Sequence, residues 1–312
     1  MRQTAVQTRL GATHVAMPTA IEAIVARVPA WAGRSPVVRP LPGHAREQVV
    51  AVAVDGEEYV VRRMSDTELL GLRPANAVEA TRRAAELGVG PPLAGVVDRH
   101  TLITPLLPAR PLERDGVAAR LESVVRALRR FHRSGPLATS FSVHRVVEWH
   151  ARDAGANGAS VPAAYERLHQ LSRRIEATFA RSPMEPVPCH NNLAPANVLF
   201  DATRAWLVDF ECGGNNDVFF DLANLSSNCR FSDEVDERML ELYFGRASAV
   251  AVARLQLMKL MSEFREGMWG IALRAVGLLD SDALDPDEQL RRCERQIARP
   301  KVERWLMEAA GD

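Results

Sequence analysis

Lysine is all but missing from this sequence: Lys259 and Lys301 are the two lysines among 39 basic residues, and the rest are arginine. Any phosphate contact in the first half of the chain therefore falls to a guanidinium, which binds as a planar fork rather than a point charge. Cysteine is scarce too. Cys189, Cys212, Cys229 and Cys293 stand far apart with no C-x-x-C pair. That excludes a disulfide framework and a zinc signature, and it fits reduced thiols in a cytoplasmic protein. Neither sign of charge is in excess: 39 basic residues face 39 acidic ones. No global field draws nucleic acid or an anionic membrane surface, so neither is expected as a partner. Long apolar runs are lacking. The longest, Val49 to Val54, is far short of the ~20 residues that span a bilayer. The first 20 residues carry Arg2, Arg9 and His14 and no apolar stretch of signal-peptide length, so export is not indicated.

What is present is ordinary for a folded chain: 47% apolar and 25% charged residues over 312 positions, a length that suits two domains. Residues 1–17 show no periodicity and read as a loose arm. Pro18 to Trp31 reads as a helix, with Ile21, Ile24, Val25 and Val28 at helical spacing. Gln48–Val54 and Glu58–Arg62 read as strands joined by Asp55-Gly56, a strong hairpin signal. A helix is expected over Asn76–Leu87, stopped by Gly88, with Glu79, Arg82 and Arg83 on its solvated side. Strand residues follow over Val96–Pro105. From about residue 110 the pattern turns helical, with helices expected over Val117–Arg133, Pro162–Arg181, Glu234–Phe244, Ala249–Val276 and Asp287–Ala298. Two short strands interrupt, Asn197–Phe200 and Ala205–Asp209, turning at Asp201. No internal repeat is visible.

The chemistry sits on that β-ribbon. A loop, Cys189-His190-Asn191-Asn192-Leu193-Ala194-Pro195-Ala196, leads into Asn197-Val198-Leu199-Phe200, and the next strand ends in Asp209-Phe210-Glu211. Across such a ribbon an amide oxygen and a carboxylate can converge on one hard cation, as a Mg²⁺ held by few protein oxygens plus phosphates requires. This is the arrangement of kinase-like phosphoryl transfer, where positioning and charge neutralisation do most of the catalysis. Cys189 and Cys212 flank the loop but have no evident base partner, so a nucleophilic cysteine is not expected.

With these residues the sequence resembles the kinase-like phosphotransferases of the aminoglycoside phosphotransferase and choline/ethanolamine kinase superfamily, nearest the bacterial choline kinase-like branch. The pattern is His-x-Asp-x-x-x-x-Asn, a strand, then Asp-[Phe/Trp]-Glu. It continues in Gly213-Gly214-Asn215-Asn216-Asp217 through Asp221, in Arg265-Glu266-Gly267-Met268-Trp269-Gly270, and upstream in Tyr59–Arg62, Thr67–Gly71, Gly88–Pro91 and Leu128–His132. The match runs in order from about residue 37 to 305. It implies an α+β, protein-kinase-like two-lobed fold. Residues 1–34 would be an N-terminal arm and helix, 35–107 a small N-lobe of antiparallel sheet plus a helix, and 108–312 a larger, mostly helical C-lobe. It implies ATP and Mg²⁺ in the cleft and a small-molecule alcohol as acceptor. Carried over by position, Asn197 and Asp209 would hold the metal and His190 would prop the catalytic loop. Gly43, Arg62, Thr104 and Leu106 would meet the nucleotide, with Thr104–Leu107 as the hinge. Phe210, Glu211, Asp217, Arg265 and Trp269 would fall on the acceptor side, Trp269 being core or pocket wall.

Four departures from the pattern matter. Asn192 stands where the family has its catalytic Asp; an amide orients a hydroxyl but cannot take its proton at neutral pH. Pro42-Gly43-His44-Ala45-Arg46-Glu47 keeps one glycine where a phosphate-covering turn is Gly-rich. The family's ion-pairing Glu falls on Ala77, so Arg62 is expected to lack its usual carboxylate, and Glu79 is expected on the surface beside Arg82 and Arg83. Phe210 and Cys212 replace the Trp and Tyr that would favour a quaternary ammonium. Two classes therefore stay open: a phosphotransferase with altered chemistry, on a small alcohol or on a peptide hydroxyl as in kinase-like tailoring enzymes, or a silent, pseudokinase-like protein that binds an unknown protein or ligand.

Overall fold

The computed structural model describes residues 23–41, 49–64, 74–279, 285–297 and 300–311. A five-stranded antiparallel sheet forms the first lobe: β1 (Val37–Pro40), β2 (Val49–Val54), β3 (Glu57–Arg63), β4 (Gly95–Asp98) and β5 (Thr101–Pro105), in the order β1-β2-β3-β5-β4. The hairpin between β2 and β3 turns at Asp55 and Gly56, with φ of 51° and 87°, the positive pair that a tight two-residue turn requires. The register Val52↔Tyr59 and Val49↔Arg62 follows from it. β2 is apolar throughout because both its faces are covered. Ile24, Val25, Val28 and Trp31 pack on one side of the sheet with Val50, Val52, Val61 and Ile103. The expected Pro18–Trp31 helix is only partly met. Residues 18–22 lie outside the described residues, and Val28 is extended before Pro29, as a residue preceding proline prefers, so a short 3₁₀ turn ends the segment.

Helix α1 (Pro74–Glu86) crosses the other side of the sheet on small residues. Ala80 lies so close to Gly213 that a Cβ there would come within 2.5 Å of it, and a Cβ on Gly90 would come within 2.9 Å of Ala84. These contacts tie α1 to the segment that follows Asp209. Its polar face is solvated at Arg82 and Glu86, but Glu79 and Arg83 are engaged with the second lobe. Glu79 accepts the Ala138 backbone N–H at 3.0 Å, and Arg83 donates to the carbonyls of Ser134 (2.7 Å) and Gly135 (3.1 Å). Glu79 is thus a clamp on the second lobe rather than a surface partner for Arg82 and Arg83.

The second lobe is helical: α2 (Arg114–Ala119), α3 (Leu121–His132), α4 (Val143–Ala156), α5 (Ala164–Phe179), α6 (Val218–Cys229), α7 (Asp233–Phe244), α8 (Ala249–Ala275), α9 (Pro286–Ile297) and α10 (Lys301–Ala310). The single helix expected over 117–133 is two, broken at Arg120, whose guanidinium lies over the Phe200 ring at 4.6 Å. The long α8 packs against α4, α6, α9 and α10, and α9 crosses it at Gly267 and Gly270, where Leu290 and Pro286 fill the space of a side chain. The predicted ribbon is β8 (Val198–Phe200) and β9 (Ala205–Leu207), with β6 (Arg110–Pro111) alongside β8. A second pair, β7 (Val187–Cys189) with β10 (Gly214–Asn216), brackets the loop before Asn197. One apolar core runs from Ala80, Ala84 and Val89 of the first lobe into Phe131, Leu207 and Phe264 of the second, so the lobes share their packing.

Candidate active site

Between the sheet and the β8–β9 ribbon lies an open cleft. Val60, Ala77 and Leu102 wall it on the sheet side, Thr104 to Leu107 cross its back, and Leu199 and Val208 close it from the ribbon. A flat, largely apolar slot of this kind suits a nucleobase. The Leu106 N–H is bonded to the Glu58 carbonyl at 2.8 Å, so Leu106 offers a ligand its carbonyl and side chain and not its N–H. Gly43 and the rest of 42–48 lie outside the described residues.

The loop before Asn197 is held by a buried carboxylate. Asp221, on the first turns of α6, accepts the backbone N–H groups of His190 (2.7 Å) and Asn191 (2.6 Å), and it meets His132 Nε2 at 3.0 Å. His132 Nδ1 in turn meets the Tyr243 hydroxyl at 2.7 Å. Asn191 sits at φ 62°, a conformation that Asn tolerates better than most residues, and its amide donates to the carbonyls of Cys212 and Gly214. His190 is wholly buried. Its Nε2 donates to the Val208 carbonyl at 2.8 Å, and Nδ1 accepts the Asn192 N–H at 3.3 Å. Burial lowers its pKa, so a neutral, doubly occupied imidazole props the loop and has no nitrogen to spare as a base. Cys212 is pushed up to about 12 by burial, and Cys189 is raised by the same cause, so neither is a thiolate nucleophile.

The segments that carry Asn197 and Asp209 run side by side at the end of the β8–β9 ribbon. The Val208 N–H donates to the Asn197 carbonyl at 3.0 Å, which sets the backbone of Asn197 opposite the residue before Asp209. Asn197 commits its amide nitrogen to the Asn192 carbonyl (2.9 Å), which leaves Oδ1 as its accepting end. Asp209 is held at φ 69°, a strained backbone state for a non-glycine residue and one that clusters at functional sites. Its Oδ1 is buried and takes no aligned hydrogen bond. The Arg62 guanidinium lies 3.0 Å from that oxygen and 3.7 Å from Glu211 Oε1, a charge contact rather than a directed hydrogen bond. Arg62 therefore does have carboxylate partners. They come from the segment after β9 and not from α1, where Ala77 is buried in the cleft wall. A carboxylate oxygen with no aligned hydrogen bond and an amide oxygen left to accept are donor types that Mg²⁺ takes.

The residues expected on the acceptor side divide. Phe210 and Glu211 line the cleft, although Phe210 is buried against Phe131 (5.0 Å) and His190 (4.5 Å). Asp217 is drawn elsewhere: its carboxylate caps α6 by accepting the Phe219 N–H at 2.9 Å. Arg265 reaches the loop, with Nη1 3.4 Å from Asn192 Oδ1, Nη2 3.4 Å from Cys212 Sγ, and a further contact to Glu266. Trp269 stands one turn on, 5.3 Å from the Arg265 guanidinium carbon and 5.4 Å from the ring of His150. His150 was not singled out in the sequence; it lies on α4, a helix whose buried face mixes valines with two histidines and so gives a weak apolar period. A second cluster, His132, Cys189 and Asp221, has metal-ligand residue types within 4.8 Å of one another. Its carboxylate is spent on the backbone N–H groups of the loop, so it is a brace and not a metal centre.

A profile of the phosphotransferase enzyme family matches residues 37–255, most of the chain. Protein LicA of Haemophilus influenzae is 33% identical over 70 residues, 22% of this chain and 26% of that protein, so the chain aligns with about a quarter of that relative's length. Among solved structures, a choline/ethanolamine kinase family protein from Mesorhizobium loti superposes with a TM-score of 0.79 at 23% identity, covering 94% of this chain and 99% of that one. Choline kinase LicA from Streptococcus pneumoniae gives 0.76 at 18%, covering 90% and 99%. Aminoglycoside 2'-phosphotransferase-IIIa gives 0.61 at 12%, covering 89% and 98%. The two-lobed, kinase-like architecture that the motifs imply is the architecture of these neighbours, and the chain belongs to the phosphotransferase enzyme family.

Proposed function

We propose that the protein transfers the γ-phosphoryl group of ATP, with Mg²⁺, to a hydroxyl group of a small molecule in the cytoplasm. The observation that carries this reading is the buried Asp209 Oδ1, which takes no aligned hydrogen bond and meets Arg62 by charge contact, at the mouth of an apolar, base-sized slot. Asn197 and Asp209 would hold the metal, which when bound neutralises charge on the β- and γ-phosphates. Arg62 would then turn from Asp209 toward the phosphates, supplying the fork that no lysine in this half of the chain can offer. Thr104 to Leu107 would seat the base. Asn192 would orient the attacking hydroxyl. With no side-chain base at this position the hydroxyl proton passes to water, and a loose transition state tolerates that with a loss of about 10²–10⁴-fold in rate.

A second reading, a binding protein that kept the fold without the chemistry, draws on Asn192 and on the Arg62–Asp209 contact, which occupies the metal carboxylate from within. Calorimetric titration with ATP, with and without Mg²⁺, separates the two. Mg²⁺-dependent binding that disappears in Asp209→Ala supports phosphoryl transfer. No binding up to millimolar ATP sinks it and leaves the binding protein.

A further inference from the structure

We propose, building on the phosphotransferase reading, that the acceptor carries an anionic group, carboxylate or phosphate, seated on Arg265 beside Asn192, and that it is not a quaternary ammonium. Trp269 is a ring that could serve as a cation platform on this side of the loop. Its face already receives the chain's own guanidinium, with the Arg265 carbon 5.3 Å from the ring centre, and the His150 ring meets it edge-on at 5.4 Å. A second cation brought to that ring would lie against Arg265 and be repelled by it.

The same arginine sets the orientation of Asn192. A guanidinium only donates, so the group 3.4 Å from Arg265 Nη1 must be the amide oxygen of Asn192. The Asn192 NH₂ is then the free end, and it can meet only an acceptor. Two further polar groups lack partners here. Arg265 is fully buried with Nε unbonded, and both ring nitrogens of the buried His150 are unbonded. Burial, with Arg265 nearby, lowers His150 to about 3, so it stays a neutral ring with one N–H to give. Three N–H donors without an acceptor among the described residues lie around Trp269 and the loop: the Arg265 Nε–H, the Asn192 amide and the His150 N–H. An oxyanion satisfies donors of this kind, and a trimethylammonium group satisfies none of them. Glu266 is the negative charge now resting on Arg265; its side chain is 26% exposed, so it can swing to water when another carboxylate arrives.

The test pairs two alcohols of opposite charge, 3-hydroxypropanoate and choline, followed by saturation-transfer NMR on the protein loaded with Mg²⁺ and a non-hydrolysable ATP analogue. The expected result is saturable millimolar binding of 3-hydroxypropanoate, weakened at least tenfold in Arg265→Gln, with no saturable binding of choline. Asn192→Asp, which keeps the shape of the loop and adds a negative charge, should weaken the anion at least fivefold and so decides the matter even where Arg265→Gln fails to fold. Choline binding more tightly than 3-hydroxypropanoate overturns the proposal. So does anion binding indifferent to both substitutions, or no anion binding at all. Failure of the nucleotide analogue to load refutes the phosphotransferase reading separately, and the same titrations on nucleotide-free protein still decide the charge of the pocket.

Discussion

Replacing Asp221 by Asn tests the idea that one buried carboxylate holds the whole catalytic loop. The native side chain is fully buried and uses both oxygens: Oδ1 takes the Asn191 N–H at 2.6 Å, and Oδ2 takes the His190 N–H at 2.7 Å and faces His132 at 3.0 Å. An amide has one acceptor, so one backbone N–H keeps its bond and the other faces an NH₂ group. A lost charge-assisted bond removes about 1.5–3 kcal/mol, and the stranded N–H adds about 1–3 kcal/mol. The sum, about 4 kcal/mol, agrees with the scale for breaking a buried charged network, roughly 3–5 kcal/mol. At about 2–4 °C per kcal/mol for a protein of comparable size, Tm should fall by roughly 10 °C. Thermal unfolding followed by circular dichroism reads this directly, and Asp221→Ala should do at least as much damage. A drop below about 3 °C in both variants would show that the loop is held by its other contacts, such as the Asn191 amide on Cys212 and Gly214, and would refute the reasoning.

Asn192→Asp should raise kcat on an accepted alcohol by as much as ~10²-fold while raising KM for an anionic one, because the new carboxylate can take a proton and also repels like charge; steady-state assays of ADP release separate the two effects. Gly213→Ala puts a methyl group 2.5 Å from Ala80, so it should destabilise by about 1–3 kcal/mol and loosen nucleotide binding as α1 is pushed from the metal segment. Acid should weaken the fold before its carboxylates titrate. Burial lowers His150 to about 3 and His144 to about 4, against an unfolded value near 6.5. The unfolded chain therefore binds more protons below pH 6.5, and the stability contributed by each neutral ring is lost as pH falls toward its folded pKa. Between pH 7 and pH 5 each ring accounts for about 2 kcal/mol. Urea unfolding at the two pH values should show a loss that His150→Gln reduces by about half; an undiminished loss would place its origin elsewhere.

Legibility in the sequence followed how locally each feature is encoded. Asp55-Gly56 specified a turn by backbone conformation alone, and the hairpin around it is met to within a residue or two at its strand ends. Asn197 and Asp209 were legible because a short ribbon with a fixed register joins them, so spacing in sequence becomes spacing in space. Helix α6 was not, because Val218 to Cys229 is buried almost all round and its polar residues Asp221, Asn224 and Ser226 are buried with the apolar ones, so no solvated face marks the helix. The break at Arg120 escaped for a different reason: Leu121 and Val124 continue the same apolar stripe on either reading. Where contacts cross from one lobe to the other, local pattern misled. Glu79 and Arg83 look like an ordinary solvated helix face, yet their partners lie between residues 134 and 138.

The same rule explains why Asn192 could be found and its meaning could not. Its place in the motif marks it as the position of a missing base, and on that ground alone the loss of a carboxylate reads as decay. Arg265 changes the reading. It lies more than seventy residues away on helix α8, while Asn192 lies in a loop, and it arrives with its guanidinium on the Asn192 oxygen and over the Trp269 ring. An aspartate at 192 would pair with that buried arginine, which lowers its pKa and holds the gain in kcat to the low end of the ~10²–10⁴-fold that a general base supplies. Asparagine avoids the pairing and turns the position into a donor. Under the anionic-acceptor proposal Asn192 and Arg265 act as one arrangement, and kinetic analysis of Asn192→Asp in an Arg265→Gln background tests that unity. Coupled effects on KM for an anionic acceptor, departing from the sum of the single changes, are expected for side chains in contact, whereas strict additivity would return Asn192 to the status of an isolated loss.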